Sequence, residues 1–256
     1  MKIFVCVKHV PDTAASINIA GENGFEDSDI KFISNPYDEH GIEEAVSLVE
    51  KHGGEVVIVT LGKAGAVTTI RSAMAMGAHR AIWVKTDKQF LDSTLTAKAL
   101  AAAIKVDGLP DMVFTGKGSV DTESFQTQYR LARYLGMPVV NEVSKLELDK
   151  DKAIAQKDAG AVEKQVIEIK LPCVIGATKG LNEPRYPKFP DIMKAKKKKI
   201  NELDLSDLGV DEAQGRVIIE KLEAVPERAG AKMLTGYVDE QVTELVKILT
   251  QDEKVL

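Results

Sequence analysis

The 256-residue chain, 44% hydrophobic, is long enough for one large domain or one domain with an extension, and it can bury a sizeable core. A net charge of -5 argues against generic nucleic-acid binding, which goes with a basic balance. Cys6 and Cys173 each sit in an apolar strand-like run and form neither a disulfide framework nor a CxxC pair, which fits a reducing, cytoplasmic setting. The opening MKIFVCVKHV is too short and too charged for a signal peptide, and no apolar run reaches the roughly 18 residues of a membrane span.

Lys2 to Val10 has the continuous Val, Ile and Phe content of a strand buried on both faces, and Pro11, Asp12 and Thr13 stop it. Ser16 to Ile33 reads as a hairpin or irregular excursion, with Gly21 and Asn23-Gly24 as turn residues. Asn35-Pro36 is an extended or turn dipeptide, and Asp38 then reads as a helix start, because Ile42, Ala45, Val46 and Val49 share a face. His52-Gly53-Gly54 ends that helix. Glu55 to Leu61 is a second strand, Ala64 to Met76 a helix, and Arg80 to Lys85 a third strand. Asp92 and Ser93 supply a cap for a helix running to about Val106. Asp111 to Thr115 is a fourth strand. A Gly-Lys-Gly-Ser loop and a helix from Thr122 or Glu123 to Leu135 follow, and Pro138 to Val143 is a fifth strand.

Strands alternating with helices imply right-handed βαβ units and a doubly wound, mostly parallel α/β sheet. In a 3-2-1-4-5 core the first and fourth strands are neighbours, and the ligand crevice opens at their carboxyl ends. That singles out Cys6 to Val10 and Gly116 to Asp121. Lys145 to Ile154 and Val162 to Lys170 read as an antiparallel ribbon added to the sheet edge. Leu171 to Ile200 then runs from an apolar strand into a loop with three prolines and a lysine-rich amphipathic end; such a loop is functional or disordered, and Leu181, Tyr186 and Phe189 argue against disorder. Glu202 to Gly209 reads as loop, Arg216 to Ala224 as a candidate strand, and Val238 to Leu249 as an amphipathic helix. A nucleotide-binding domain over 1–200 and a C-terminal arm over 201–256 are expected.

Gly116-Lys117-Gly118-Ser119-Val120-Asp121 lies between a strand and a helix, the setting in which backbone N–H groups hold phosphate; a tight βα turn is the equal alternative, because the run is neither GxGxxG nor a Walker A. Asn35-Pro36-Tyr37-Asp38 reads either as a reader of adenine or ribose or as a helix cap. Gln126 and Thr127, in the first turns of the next helix, face a nucleotide only if one sits at the switch point. His9, His40, His52 and His79 lack metal-ligand spacing, so no metal site is expected. With no nucleophile elbow, Ser-His-Asp pattern or paired carboxylates, no catalytic residue is expected either. The lysines at 194 and 196 to 199 read as a solvated face or as charge that steers an acidic partner.

At these residues the chain resembles the beta subunit of electron transfer flavoprotein, over nearly its whole length. The likeness rests on Val5-Cys6-Val7-Lys8, Asn35-Pro36-Tyr37-Asp38 with Glu43-Glu44-Ala45, Thr69-Ile70-Arg71 to Met76-Gly77-Ala78, and above all Leu181-Asn182-Glu183-Pro184-Arg185-Tyr186 with Ile192-Met193-Lys194-Ala195-Lys196 to Lys199. Glu227-Arg228-Ala229-Gly230 resembles the family's arm towards the large subunit. The resemblance implies an adenine-nucleotide alpha-hydrolase-like fold. It also implies a heterodimer with an alpha subunit that carries most of the FAD, and a buried AMP in this chain. The AMP would be held by Cys6, Asn35, Pro36, Tyr37, Asp38, Leu61 and the run Gly116, Lys117, Gly118, Ser119, Val120, Asp121, Thr122, Glu123, Ser124, Phe125, Gln126 and Thr127. Leu181, with Asn182 to Tyr186, would dock the dehydrogenase. The implied role is electron transfer from acyl-CoA dehydrogenase-type donors of fatty acid beta-oxidation to a membrane quinone oxidoreductase, without nucleic acid and without membrane insertion of this chain.

One departure bears on the nucleotide. AMP-holding members read DDxxQTG and bifurcating members GDTAQVG, whereas this chain has Asp121-Thr122-Glu123-Ser124-Phe125-Gln126-Thr127-Gln128, with Gln128 where glycine is expected. Two alternatives therefore stand beside the electron carrier. One is a subunit of a flavin-based bifurcating complex, holding a second FAD in place of AMP and oxidising NADH. The other is a non-redox adenine-nucleotide sensing module, which leaves LNEPRY and the lysine run unexplained.

Overall fold

A computed structural model describes all residues except 161, 227–229 and 256. The chain divides into two units, Met1–Leu222 and Glu223–Leu256. The first is a three-layer α/β body around a nine-stranded sheet. Its strands are β1 (Lys2–Cys6), β2 (Glu55–Gly62), β3 (Arg80–Lys85), β4 (Met112–Gly116), β5 (Val139–Asp149), β6 (Lys152–Asp158), β7 (Lys164–Lys170), β8 (Cys173–Ala177) and β9 (Ile200–Asp204), in the order β7-β6-β5-β8-β4-β1-β2-β3-β9. Strands β5, β8, β4, β1, β2, β3 and β9 run parallel, and β5, β6 and β7 form the expected antiparallel ribbon.

The expected doubly wound core is present, with β8 lying between the fourth and fifth strands as a first change. The ribbon returns the chain to the sheet, and Cys173 to Ala177, all five buried, take the slot that covers both faces. A second change is β9. It pairs in parallel with β3, Ile200 opposite Ala81, so the compact body continues past the boundary expected at residue 200 and ends at 222. Arg216 to Ala224 forms no strand. The first strand is shorter than its apolar run, because the chain leaves the sheet after Cys6 and His9–Pro11 pairs instead with Phe32–Ser34. The hairpin expected after it is Ile19–Ala20 with Gly24–Phe25.

Alternation along the strands feeds two cores. Ile3 and Val5 face α1 (Pro36–His52) and α2 (Ala66–Ala75), while Phe4 and Cys6 face α3 (Ser93–Asp107) and α4 (Thr127–Leu135). Each fully buried large side chain, Phe4, Ile58 or Phe114 among them, contributes about 1.5–3 kcal/mol. Helix α3 starts as its sequence demands, with the Asp92 carboxylate accepting from the N–H groups of Thr94 and Leu95. Gly77 closes the turn after α2 at φ 134, where a Cβ would come within 2.8 Å of Val46. In the second unit α6 (Val238–Lys247) has Val242, Leu245 and Val246 along one stripe, and at its start the Glu240 carboxylate accepts the Tyr237 N–H at 3.0 Å. The arm motif at 227–229 lies outside the described residues.

Candidate functional site

The carboxyl ends of β1 and β4 are neighbours, as the switch-point argument requires, and one side chain ties them. The Asp38 carboxylate accepts the N–H of Lys8 at 2.8 Å and that of Gly116 at 2.7 Å. Asp38 therefore does not start the helix. Helix α1 begins at Pro36, and Asp38 is turned inward, 5% exposed. Desolvation raises its pKa to about 7, opposed by the N–H groups of Lys8 and Gly116, the Asn35 side chain and the Lys8 charge. Gly116 has to be glycine here, since a Cβ would stand 2.5 Å from the Asp38 carboxylate. Cys6 lies beside this carboxylate, and burial together with the Asp38 charge pushes its thiol strongly upward, which leaves it an inert apolar wall.

The loop after β4 closes over the same place. Asn35 donates from Nδ2 to the Gly118 carbonyl at 2.9 Å and accepts from the Val120 N–H at 3.2 Å. Asn35 thus holds the loop. Lys8 Nζ reaches Asp121 at 2.7 Å, Ser119 Oγ at 3.2 Å and Thr122 Oγ1 at 3.4 Å. Lys117 Nζ lies 5.0 Å from the Tyr37 ring centre and 5.9 Å from that of Phe125. The N–H groups of Gly118 and Ser119 have no acceptor among the described residues. Thr115 Oγ1 is buried with no hydrogen-bond partner among them. Two lysines, free N–H donors and an orphan hydroxyl at one strand end suit a phosphate-bearing nucleotide.

The loop is longer than its sequence suggests. Helix α4 begins at Thr127, because Glu123 and Phe125 take φ values of 44 and 49, which no α-helix continues. Gln126 and Thr127 are accordingly the N-cap and first residue of α4, and Glu123 and Ser124 point to solvent. Leu61, on β2, belongs to the same core face as Cys6. Thr115, Gln128 and Asn141 join the expected site residues here, beside Lys8 from the stretch Cys6 to Val10. Gln128 stood out only as a missing glycine, and Asn141 carries no local signal, since a β-bulge aims it.

The Leu171–Ile200 stretch is ordered by its own polar residues. Asn182 Nδ2 donates to the His40 carbonyl at 3.0 Å and to Glu44 at 2.9 Å. Arg185 binds Glu43 through Nε and Nη2 at 2.8 and 2.9 Å, and Glu50 through Nη1 and Nη2 at 2.6 and 3.0 Å. Leu181 is half-buried against the core cluster, and Tyr186, 96% exposed, and Phe189, 74% exposed, are the more open apolar side chains of this segment. Behind them a groove of about 690 Å³ runs between α1, α2 and α5 (Phe189–Ala195), lined by His40, Val67, Arg71, Met76, Tyr186 and Ile192. The lysine run splits in two. Lys198 Nζ caps α2, donating to the carbonyls of Met74 and Ala78, and burial lowers its pKa. Lys194, Lys196, Lys197 and Lys199 remain exposed.

The family model for the electron transfer flavoprotein domain matches residues 23–208. The chain is 39% identical to "Electron transfer flavoprotein subunit beta" of Bacillus subtilis, with 100% of both chains covered. The chain belongs to the electron transfer flavoprotein family. It is also 36% identical to the subunit beta of Bradyrhizobium diazoefficiens, again over 100% of both chains. Against the mitochondrial subunit beta of Arabidopsis thaliana the identity is 37%, over 96% of this chain and 97% of the other. As an electron transfer flavoprotein chain of the beta type, it has a role in electron transfer. Among the described residues no helix is long and apolar enough to cross a membrane.

Proposed function

We propose that this chain is the small subunit of a cytoplasmic heterodimeric electron carrier, holding AMP in the β1/β4 crevice and docking the electron donor through the Leu171–Ile200 stretch. The observation that carries the reading is the single polar knot at the switch point. Asp38, Asn35 and Lys8 fasten the loop after β4 to the ends of both strands and leave Lys117, with Glu142 at 4.0 Å, and N–H donors on its face. Such a knot binds and orients a phosphate, and it supplies no group placed for proton transfer to a substrate. AMP here is a fixed strut: Asn35 to Asp38 and Gly116 to Thr127 come from distant parts of the chain, and a nucleotide touching both would brace them against each other.

FAD, bound mainly on a larger alpha subunit, supplies the redox chemistry. This chain contributes one wall of the flavin's surroundings and its arm, with the amphipathic α6, packs on the large subunit. Donors of the acyl-CoA dehydrogenase type in fatty acid beta-oxidation meet the docking segment, and electrons leave to a membrane quinone oxidoreductase. Arg185 and Asn182 hold the segment in shape, and Tyr186 and Phe189 present the apolar surface that fills a donor pocket. The exposed lysines raise the rate of encounter with an acidic donor surface. The experiment is reduction of the purified pair by an acyl-CoA dehydrogenase with substrate, followed by flavin absorbance. Flavin reduction supports the reading; reduction by NADH and not by the dehydrogenase would overturn it in favour of bifurcation.

A further inference from the structure

Gln128 stands where the resemblance expects glycine, yet it is 2% exposed and its side-chain N–H groups are engaged. Its Nε2 donates to the Lys117 carbonyl at 2.7 Å and to the Phe125 carbonyl at 3.3 Å. A second amide reaches the same Lys117 carbonyl from another element: Asn141 Nδ2, at 3.2 Å. Asn141 gets there through a built irregularity. The pairing of β5 with β8 shifts between Ile175 and Ala177, and Glu142 takes φ 62. Bulges of this kind re-aim side chains next to functional sites. Opposite the bulge lies Gly176, where a Cβ would fall 1.8 Å from Asn141 Oδ1, so any larger residue would expel the amide. Meanwhile the Lys117 N–H donates to the Ala177 carbonyl at 2.8 Å. The peptide groups on both sides of Lys117 are thereby fixed, one by β8 and the other by two side-chain amides.

We infer that Gln128 and Asn141 are positioning residues for nucleotide retention. They clamp the Lys117 backbone, so that its ammonium stands at the crevice mouth beside Tyr37 and Phe125 and the loop N–H groups turn toward a phosphate. The inference rests on the nucleotide reading of the crevice and assigns the ligand's charged end, a phosphate, to the Lys117 side of the loop. It also accounts for the missing glycine: the close backbone approach that glycine gives elsewhere is replaced by a side-chain donor that pulls the loop carbonyls inward.

The test uses the chain co-purified with its large subunit, with AMP release followed by dilution and chromatography. Gln128→Met keeps the side-chain length and removes both donors. AMP release should quicken about tenfold to a hundredfold, the scale of one or two lost buried hydrogen bonds, while the flavin stays bound. Gln128→Glu gives a reading that plain packing does not. Its carboxyl offers an O–H to the Lys117 carbonyl when protonated and only lone pairs when ionised. Retention relative to wild type should therefore be near normal at low pH and fall as the buried carboxyl ionises, with Gln128→Met defective throughout. Asn141→Ala, approaching from β5, should quicken release as well, and it decides the matter if the Gln128 variants do not fold. Release from Gln128→Met and Asn141→Ala at the wild-type rate would overturn the clamp while leaving the crevice reading intact. A wild-type pair that contains no AMP would instead overturn the crevice reading itself.

Discussion

Replacing Arg185 with Met tests whether the docking segment is held by its ion pairs. Arg185 joins two carboxylates of α1: Glu43, whose side chain is 10% exposed, and Glu50, 57% exposed. The Glu50 pair is a surface pair and contributes at most about 1 kcal/mol. The Glu43 pair is mostly withdrawn from water, and losing its partner leaves a half-satisfied carboxylate, although the Arg185 N–H still donates to it at 3.0 Å. Removing one partner of a fully buried pair costs about 3–5 kcal/mol. With the retained N–H and a partly exposed guanidinium, about 2–3 kcal/mol is expected here. The assay is urea unfolding of both proteins, with Glu43→Gln and the double variant completing a cycle. The pH dependence adds an independent check. Burial pushes the Glu43 carboxyl up, but the guanidinium and N–H of Arg185 outweigh it, and both Glu43 and Glu50 end below their usual range. A carboxylate depressed in the folded state stabilises above its unfolded pKa, and that contribution disappears as pH falls through the folded value. The deficit of Arg185→Met should therefore be full at neutral pH and shrink in acid. A loss below about 0.5 kcal/mol at neutral pH, or a deficit that grows in acid, would mean that the Arg185 pairs do not hold the segment.

Phe189→Ala should leave stability within about 0.5 kcal/mol, since the side chain is largely exposed. It should nevertheless slow reduction by the dehydrogenase about tenfold or more, as loss of an interface anchor does; stopped-flow flavin reduction measures this. Leu181→Ala should lose about 1–2 kcal/mol in urea unfolding, because the half-buried side chain packs on the core. Asp38, with its pKa raised to about 7, binds a proton in the folded state before the unfolded one does. Its contribution to stability therefore falls as pH rises from about 4 to about 7. Asp38→Asn should flatten the pH profile of unfolding free energy in that window.

The main body was legible because buried parallel strands and the helices between them write themselves as apolar runs separated by glycines. The stretches that matter, Cys6 to Val10 and Gly116 to Asp121, followed from that rhythm, although the first strand ends at Cys6 rather than Val10. The position of β8 did not. Once an antiparallel ribbon interrupts the alternation, nothing local tells a five-residue apolar run which neighbour it will join. β9 was hidden for a related reason: Ile200 and Leu203 are its only apolar residues, and a lysine run precedes it. The start of α4 failed through backbone conformation, since left-handed Glu123 and Phe125 look like helix residues in a sequence. Asp38 and Asn35 have the chemistry of caps, and only the approach of Gly116 and Gly118 turns them inward. Leu181 and Phe189 are both large and apolar in a Pro-rich loop. Which of them packs against the core depends on where Asn182 and Arg185 fasten the chain to α1.

As proposed, the β1/β4 crevice of this chain holds AMP while the redox flavin resides on the partner subunit. The direct measurement is the nucleotide content of the purified heterodimer, released by denaturation and separated by chromatography. One FAD and one AMP are expected for each pair. Two FAD and no AMP would contradict it.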